Sequence, residues 1–311
     1  MTTVLGVATF SGASSLPLFV AIERGHFEAH GLDVRMTTVR NSDQLMNGLL
    51  DGTFQIVHSA PDNFIAWRDR TGRDILAWIG GAGGPLALVG APDVPDAASL
   101  RGRAVAVDSP ESGFVSTLRL ILRAAGVGED EIRLEALGST QLRLKALLAR
   151  ETSASMLSLP WSLVATDAGC HVIGEQADVI PRLQGSCGAS LEGWLEASRE
   201  VADEYFRALV AALTDLYTDA MPADDVRRLL RERYEVEDAH AEVVRRAFVD
   251  PVRGWPPSGL IDAEGMEAVC RIRTDAGRPP RAPAGTYYTL EPYRRLFGFE
   301  PAAAGAGAAA R

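Results

Sequence analysis

Blocks of apolar residues separated by short polar loops run through the first half of this chain, and their spacing switches between strand and helix type. VLGVATF at residues 4–10 reads as a strand that runs into Ser11-Gly12-Ala13-Ser14-Ser15. LPLFVAIER at 16–24 follows as an apolar helix, and Gly25 ends it as a C-terminal glycine does. Gly31-Leu32-Asp33-Val34 opens a second strand, and Ser42 or Asp43 is placed to cap the helix QLMNGLLDG. FQIVH is a third strand, DNFIAWRD at 62–69 a helix, and ILAWIGG a fourth strand.

A second series starts near Pro85. PLALVG, RAVAVD at 103–108, IRLEAL, SASMLSL and HVIGE read as strands. PDAASLRG, FVSTLRLILRAAG, QLRLKALLAR and SLVATDAG read as the helices between them. Strands alternating with helices at this spacing predict an α/β protein with parallel sheets. From about residue 185 the pattern becomes helical: a long amphipathic stretch from LEGWLEASREV to TDLYTDA, then segments near 223–234 and 238–248. The last residues, PAAAGAGAAAR, are low in complexity and read as a disordered tail over 301–311.

Length and composition narrow the possibilities. A chain of 311 residues is long for one compact core and fits two lobes. A formal net charge of −10 argues against nucleic acid or an anionic membrane surface as a partner. Cys170, Cys187 and Cys270 are far apart, with no CxxC pair and no HExxH, so neither a disulfide framework nor a metal site is expected. GAGG at 81–84 lacks the spacing and the following helix of a dinucleotide fingerprint. No apolar run approaches the length of a membrane span. The N-terminus has no basic residue before Arg24 and no secretory h-region, so the chain as given is expected in the cytosol, or outside it if a signal has been removed.

Four stretches in order, PLFVAIERGHFEAHGLDV, LLDGTFQIV, LRGRAVAVDSPESG and the strand before LPW, resemble the type II periplasmic-binding-protein fold. Their nearest likeness is to its nitrate/sulfonate/taurine and NMT1/THI5-like groups. The resemblance covers roughly residues 4–220. It implies two α/β lobes with a ligand cleft between them: residues 1–85 and the return over 181–300 in one lobe, 86–180 in the other.

Ligands of parallel sheets sit at the carboxyl ends of the strands. Those ends supply Phe10, Ser11, Gly12, His58, Ser59, Ser109, Ser112, Gly113, Ser139 and Trp161 as candidate ligand contacts, with Cys187 added from the GSCGAS loop. Several lead directly into helices, whose unpaired N–H groups favour an anion or a carbonyl oxygen. The loops are rich in serine and poor in lysine and arginine, which suggests a ligand held by hydrogen bonds and helix N-termini. Each candidate also has a plain structural role. Ser11, Ser109 and Ser139 serve equally well as N-caps, Gly12 and Gly113 as turn residues, Trp161 as hinge packing and Cys187 as a small core residue.

His58 ends an apolar strand and is followed by Ser-Ala-Pro-Asp. Asp62, four residues on, is placed to orient it, and Arg68 or Arg70 to hold an acidic substrate, so His58, Asp62, Arg68 and Arg70 form a candidate acid–base set. This histidine–arginine arrangement is similar to that of the sulfinate desulfinases of the same fold. Their nucleophilic cysteine belongs in the first loop, where this chain has Ser11-Gly12-Ala13. The pyrimidine-forming THI5-type enzymes use a pyridoxal-phosphate lysine, and Lys145, the only lysine here, does not match its position. No cofactor is therefore implied. Two function classes stay open: a small-molecule-binding protein of the ABC-transporter type, partnering a permease if exported, or a cofactor-free lyase working through His58. The absence of a complete catalytic set favours the first.

Overall fold

The structure, a computed structural model, describes residues 2–81, 86–109, 112–180, 182–250 and 254–298. The expected tail at 301–311 and the expected lobe boundary at 85 lie outside the described residues.

Ten strands form: β1 (Thr3–Thr9), β2 (Leu32–Thr38), β3 (Ile56–Ser59), β4 (Ile75–Ile79), β5 (Leu86–Gly90), β6 (Ala104–Val107), β7 (Arg133–Ala136), β8 (Ala154–Ser158), β9 (His171–Glu175) and β10 (Cys187–Leu191). They build two five-stranded sheets, ordered β2-β1-β3-β10-β4 and β7-β6-β8-β5-β9. The predicted strands all appear, within a few residues at their ends. The expectation of parallel sheets needs correction, because both sheets are mixed. β1 is parallel to β2 and β3, and β6 to β7 and β8. β10 runs antiparallel to β3 and β4, and β5 antiparallel to β8 and β9. The physical reason is the route of the chain. β5 and β10 are each the first strand laid down after the chain changes sheets, and each enters from the opposite direction.

The strand β10 stands where the sequence pattern reads as the start of the helical region. Its residues Cys187, Gly188, Ala189 and Ser190 are small and carry no β-branched signal. They must be small, because the strand is threaded between two filled neighbours. A Cβ at Gly188 would sit 3.0 Å from Cε1 of His58 and 3.1 Å from Cβ of Ile79.

Alternation along the strands separates two packing faces. Leu5, Val7 and Ile56 join a core shared with the helices Leu16–Glu23 and Arg199–Tyr217. Ala8 and Val57 face the opposite way, into a second core with Leu45, Phe64, Ile65 and Met266. Caps mark the helix starts. Asn41 Oδ1 accepts from Gln44 N at 2.8 Å, so the cap of the helix Ser42–Leu50 is Asn41 rather than Ser42 or Asp43. Asp96 caps the short turn Ala97–Leu100 in the same way. The late helices Arg199–Tyr217, Ala223–Tyr234 and Asp238–Phe248 follow the sequence pattern. Two further helices, Ala263–Asp275 and Glu291–Phe297, were not anticipated, and the first of them reaches the site. Among the described residues no helix is long and apolar enough to cross a membrane.

Candidate functional site

A cleft of about 1010 Å³ lies between the two sheets. Its first wall is made by the segments that follow β1 and β3. Ser15 Oγ donates to Phe10 O at 2.7 Å and lies 2.9 Å from Thr9 Oγ1. Tyr234 Oη donates to Gly12 O at 2.5 Å. These bonds fix the loop carrying Phe10, Ser11 and Gly12, all of which line the cleft. After β3, the extended Ala60 and Pro61 start the helix Pro61–Thr71, and Ser59 Oγ accepts from Asn63 Nδ2 at 2.7 Å.

The second wall comes from helix starts after β6 and β7. Ser112 Oγ accepts from Val115 N at 3.3 Å and donates to Asp108 Oδ1 at 2.5 Å, capping the helix Gly113–Ala124. Ser139 Oγ accepts from Leu142 N at 3.4 Å and caps the helix Thr140–Leu148. Both serines are caps and both also line the cleft, as do Ser109 and Gly113.

The charge in the cleft comes from residues the loop pattern does not reveal. Arg143 is 1% exposed. Its Nε donates to Gly138 O at 3.1 Å, Nη2 to Thr140 Oγ1 at 2.9 Å, and Nη1 to Met156 O. All three acceptors are neutral, and burial draws its affinity for the proton below the ordinary arginine value, with Asp108 opposing. No ion pair to Arg143 occurs among the described residues. Its helix exposes Leu142 and Leu148 and turns the arginine inward, the reverse of the usual amphipathic order, so sequence periodicity gave no warning. The unanticipated helix Ala263–Asp275 adds Arg273, and the segment after it adds Arg278 and Arg281. With Arg40 and Arg70, six arginines face four aspartates (Asp43, Asp62, Asp69 and Asp108) around this cleft. The cleft is thus locally basic on a chain whose net charge is −10.

Asp62 and Arg273 form a buried pair, Arg273 Nη1 donating to Asp62 Oδ1 at 2.8 Å with both side chains 7% exposed. Burial raises the Asp62 pKa, and Arg273 and Arg278 work against that rise. Asp62 Oδ2 and Arg273 Nε have no hydrogen-bond partner.

Several expectations are corrected by this geometry. His58 borders the cleft, yet alternation places its ring on the same sheet face as Ile56, toward the helix Arg199–Tyr217. There its Nε2 lies 2.9 Å from Tyr205 Oη, the ring is 1% exposed, and Nδ1 has no partner. Burial lowers its pKa from 6.5 to about 3, so it stays neutral at neutral pH. Asp62 does not orient it, because Asp62 belongs to Arg273. Arg68 is turned off the cleft, with Nη2 donating to Asp74 Oδ1 at 2.8 Å and Nη1 to Ile75 O at 3.0 Å. Arg70 does line the cleft, where its guanidinium stacks 3.9 Å from the Trp67 ring centroid. The set His58, Asp62, Arg68 and Arg70 is therefore not assembled. Trp161 is outside the cleft lining and packs edge-on against Tyr234 at 6.1 Å, which is core packing and not a stacking platform. Cys187 is fully buried within β10, and burial pushes its thiol well above the ordinary value, so it is neither a cleft contact nor a nucleophile.

No protein-family model matches the chain, and no curated protein does. Solved structures do. The alkanesulfonate-binding protein SsuA from Xanthomonas axonopodis pv. citri is similar with a TM-score of 0.77 at 15% identity, covering 92% of this chain and 98% of that one. The periplasmic nitrate-binding protein NrtA from Synechocystis PCC 6803 gives 0.76 at 12% identity, over 95% and 88% of the two chains. A Candida albicans protein described as having the generic periplasmic-binding-protein fold gives 0.76 at 17% identity, over 93% and 97%. The chain has the type II periplasmic-binding-protein fold, two-lobed and α/β.

Proposed function

We propose that this chain is a binding protein for a small anionic organic molecule, held in the cleft between the two sheets, of the kind that serves ABC importers. The observation that carries this reading is Arg143: a buried guanidinium on the cleft wall whose hydrogen bonds all go to neutral oxygens. A buried cation that Asp108 steadies only through space, with no ion pair among the described residues, is costly, and an anion entering the cleft offsets that cost. The arginine excess around the cleft supports the same sign of ligand. Similarity to proteins described as binding alkanesulfonate and nitrate adds weight to an anion without naming it. A permease is a partner only if the chain acts outside the cytoplasm. An acid–base enzyme reading has no observation in its favour, since His58 is neutral and faces the helix layer.

A thermal-shift panel of sulfonates, sulfinates, aromatic carboxylates, nitrate and size-matched neutral compounds tests the proposal. A true ligand at about a hundred times its Kd adds about 2.7 kcal/mol to stability. For any anion that registers, Arg143→Met should weaken binding by roughly 1.5–3 kcal/mol, and Arg143→Lys by less, as read by calorimetry. Tight binding of a neutral compound that is indifferent to Arg143→Met would overturn the anionic reading.

A further inference from the structure

Within the cleft lining, groups of the first-sheet layer press against the helix Gly113–Ala124 of the second. Asp62, on the helix Pro61–Thr71, lies so close that a Cβ added at Gly113 would stand 2.9 Å from Asp62 Cβ and 3.1 Å from its Cγ. Arg278 Nη2 donates to Ser116 Oγ at 2.8 Å, one turn further along the same helix. The helix Ala263–Asp275 packs on this helix as well, and its Arg273 holds Asp62 in place. The carboxylate thus stands at the start of a twelve-residue helix, where partial positive charge favours an anion.

We propose that Asp62, held by Arg273, is a built-in clasp that holds the two lobes against each other through the protein's own groups, by filling the space in front of Gly113. The proposal rests on the two-lobed architecture and goes beyond the binding reading, because it does not depend on what the ligand is. Three features support it. The approach requires glycine for space, since Gly113 is an ordinary helical residue and is not among those with positive φ. The contact is dry, with Asp62 5% and Ser116 1% exposed. It also leaves Asp62 Oδ2 and Arg273 Nε without hydrogen bonds, which solvent supplies when the lobes separate. The clasp is therefore a closed state with a built-in cost, able to give way.

Gly113→Val is a wedge that leaves the Asp62–Arg273 pair intact, and Asp62→Asn removes the charge while keeping the size. Both are compared with the wild-type chain, without ligand, by small-angle X-ray scattering and by amide hydrogen exchange over residues 112–117. Far-ultraviolet circular dichroism confirms that each variant is folded. The expected result is a larger radius of gyration and exchange at Val115 and Ser116 about tenfold faster. Wild-type values of both measurements in folded Gly113→Val overturn the clasp, whatever Asp62→Asn does. So does a ligand-free wild type whose scattering fits only separated lobes. Neither outcome bears on whether the cleft binds an anion, which the ligand panel decides.

Discussion

His58→Ala should lower the unfolding free energy by about 3–5 kcal/mol, as measured by urea titration at pH 7.5. The loss has two parts. A fully buried ring is removed from between Gly188 and Tyr205, leaving a cavity, and the Tyr205 hydroxyl loses its hydrogen bond to His58. The pH dependence is the sharper test. The folded His58 pKa is lowered to about 3 from an ordinary value of 6.5, and the cause is burial. A lowered base binds protons more weakly in the folded state than in the unfolded one. Its contribution to stability is therefore complete above pH 6.5 and is lost as pH falls toward 3, at about 1.4 kcal/mol per unit. Between pH 7.5 and 5 the wild-type chain should lose about 2 kcal/mol through this group alone. His58→Phe keeps most of the volume and cannot titrate, so the gap between wild type and variant should narrow by that amount over the same range. A gap that stays constant from pH 7.5 to 5 would show that His58 binds a proton as readily in the folded protein as in the unfolded one, and would return it to the list of acid–base candidates.

The same histidine shows what the sequence could and could not tell. Strand ends and the two βα series were legible because they rest on local rules: alternation and glycine stops. Ser139 was readable as a helix cap for that reason, whereas the cap after β6 is Ser112 rather than Ser109. The side on which a strand-end residue points depends on which face is covered by a distant helix, and the helix carrying Tyr205 is 147 residues away. Nothing local announces that. β10 was missed for a related reason. A central strand of Cys, Gly, Ala and Ser is dictated by how closely its neighbours approach, and small residues carry no periodic signal. Arg143 was hidden because its helix turns two leucines outward and the arginine inward. Arg143, Arg273, Arg278 and Arg281 lie outside the loops at the strand ends, so reading those loops alone understated the charge of the cleft.

Breaking the Asp62–Arg273 pair should be far more damaging than breaking the bridge that Arg68, on the same helix as Asp62, makes to Asp74. Arg68 is bonded to Asp74, whose side chain is 62% exposed, so solvent screens that bridge. A double-mutant cycle of Arg68→Met and Asp74→Ala should give a coupling of about 0–1 kcal/mol. Asp62 and Arg273 are each only 7% exposed, so solvent screens their pair far less. Asp62→Ala alone should cost about 3–5 kcal/mol, because it leaves the Arg273 guanidinium buried without its carboxylate partner, and Arg273→Met alone should cost a similar amount. The double variant removes both charges and should recover much of the loss, giving a coupling of about 2 kcal/mol or more in urea unfolding at pH 7.5. Equal couplings for the two pairs would mean that water reaches Asp62 and Arg273 in the folded chain. That in turn would require the cleft at Gly113 to stand open, and the charges there would then face a ligand rather than each other.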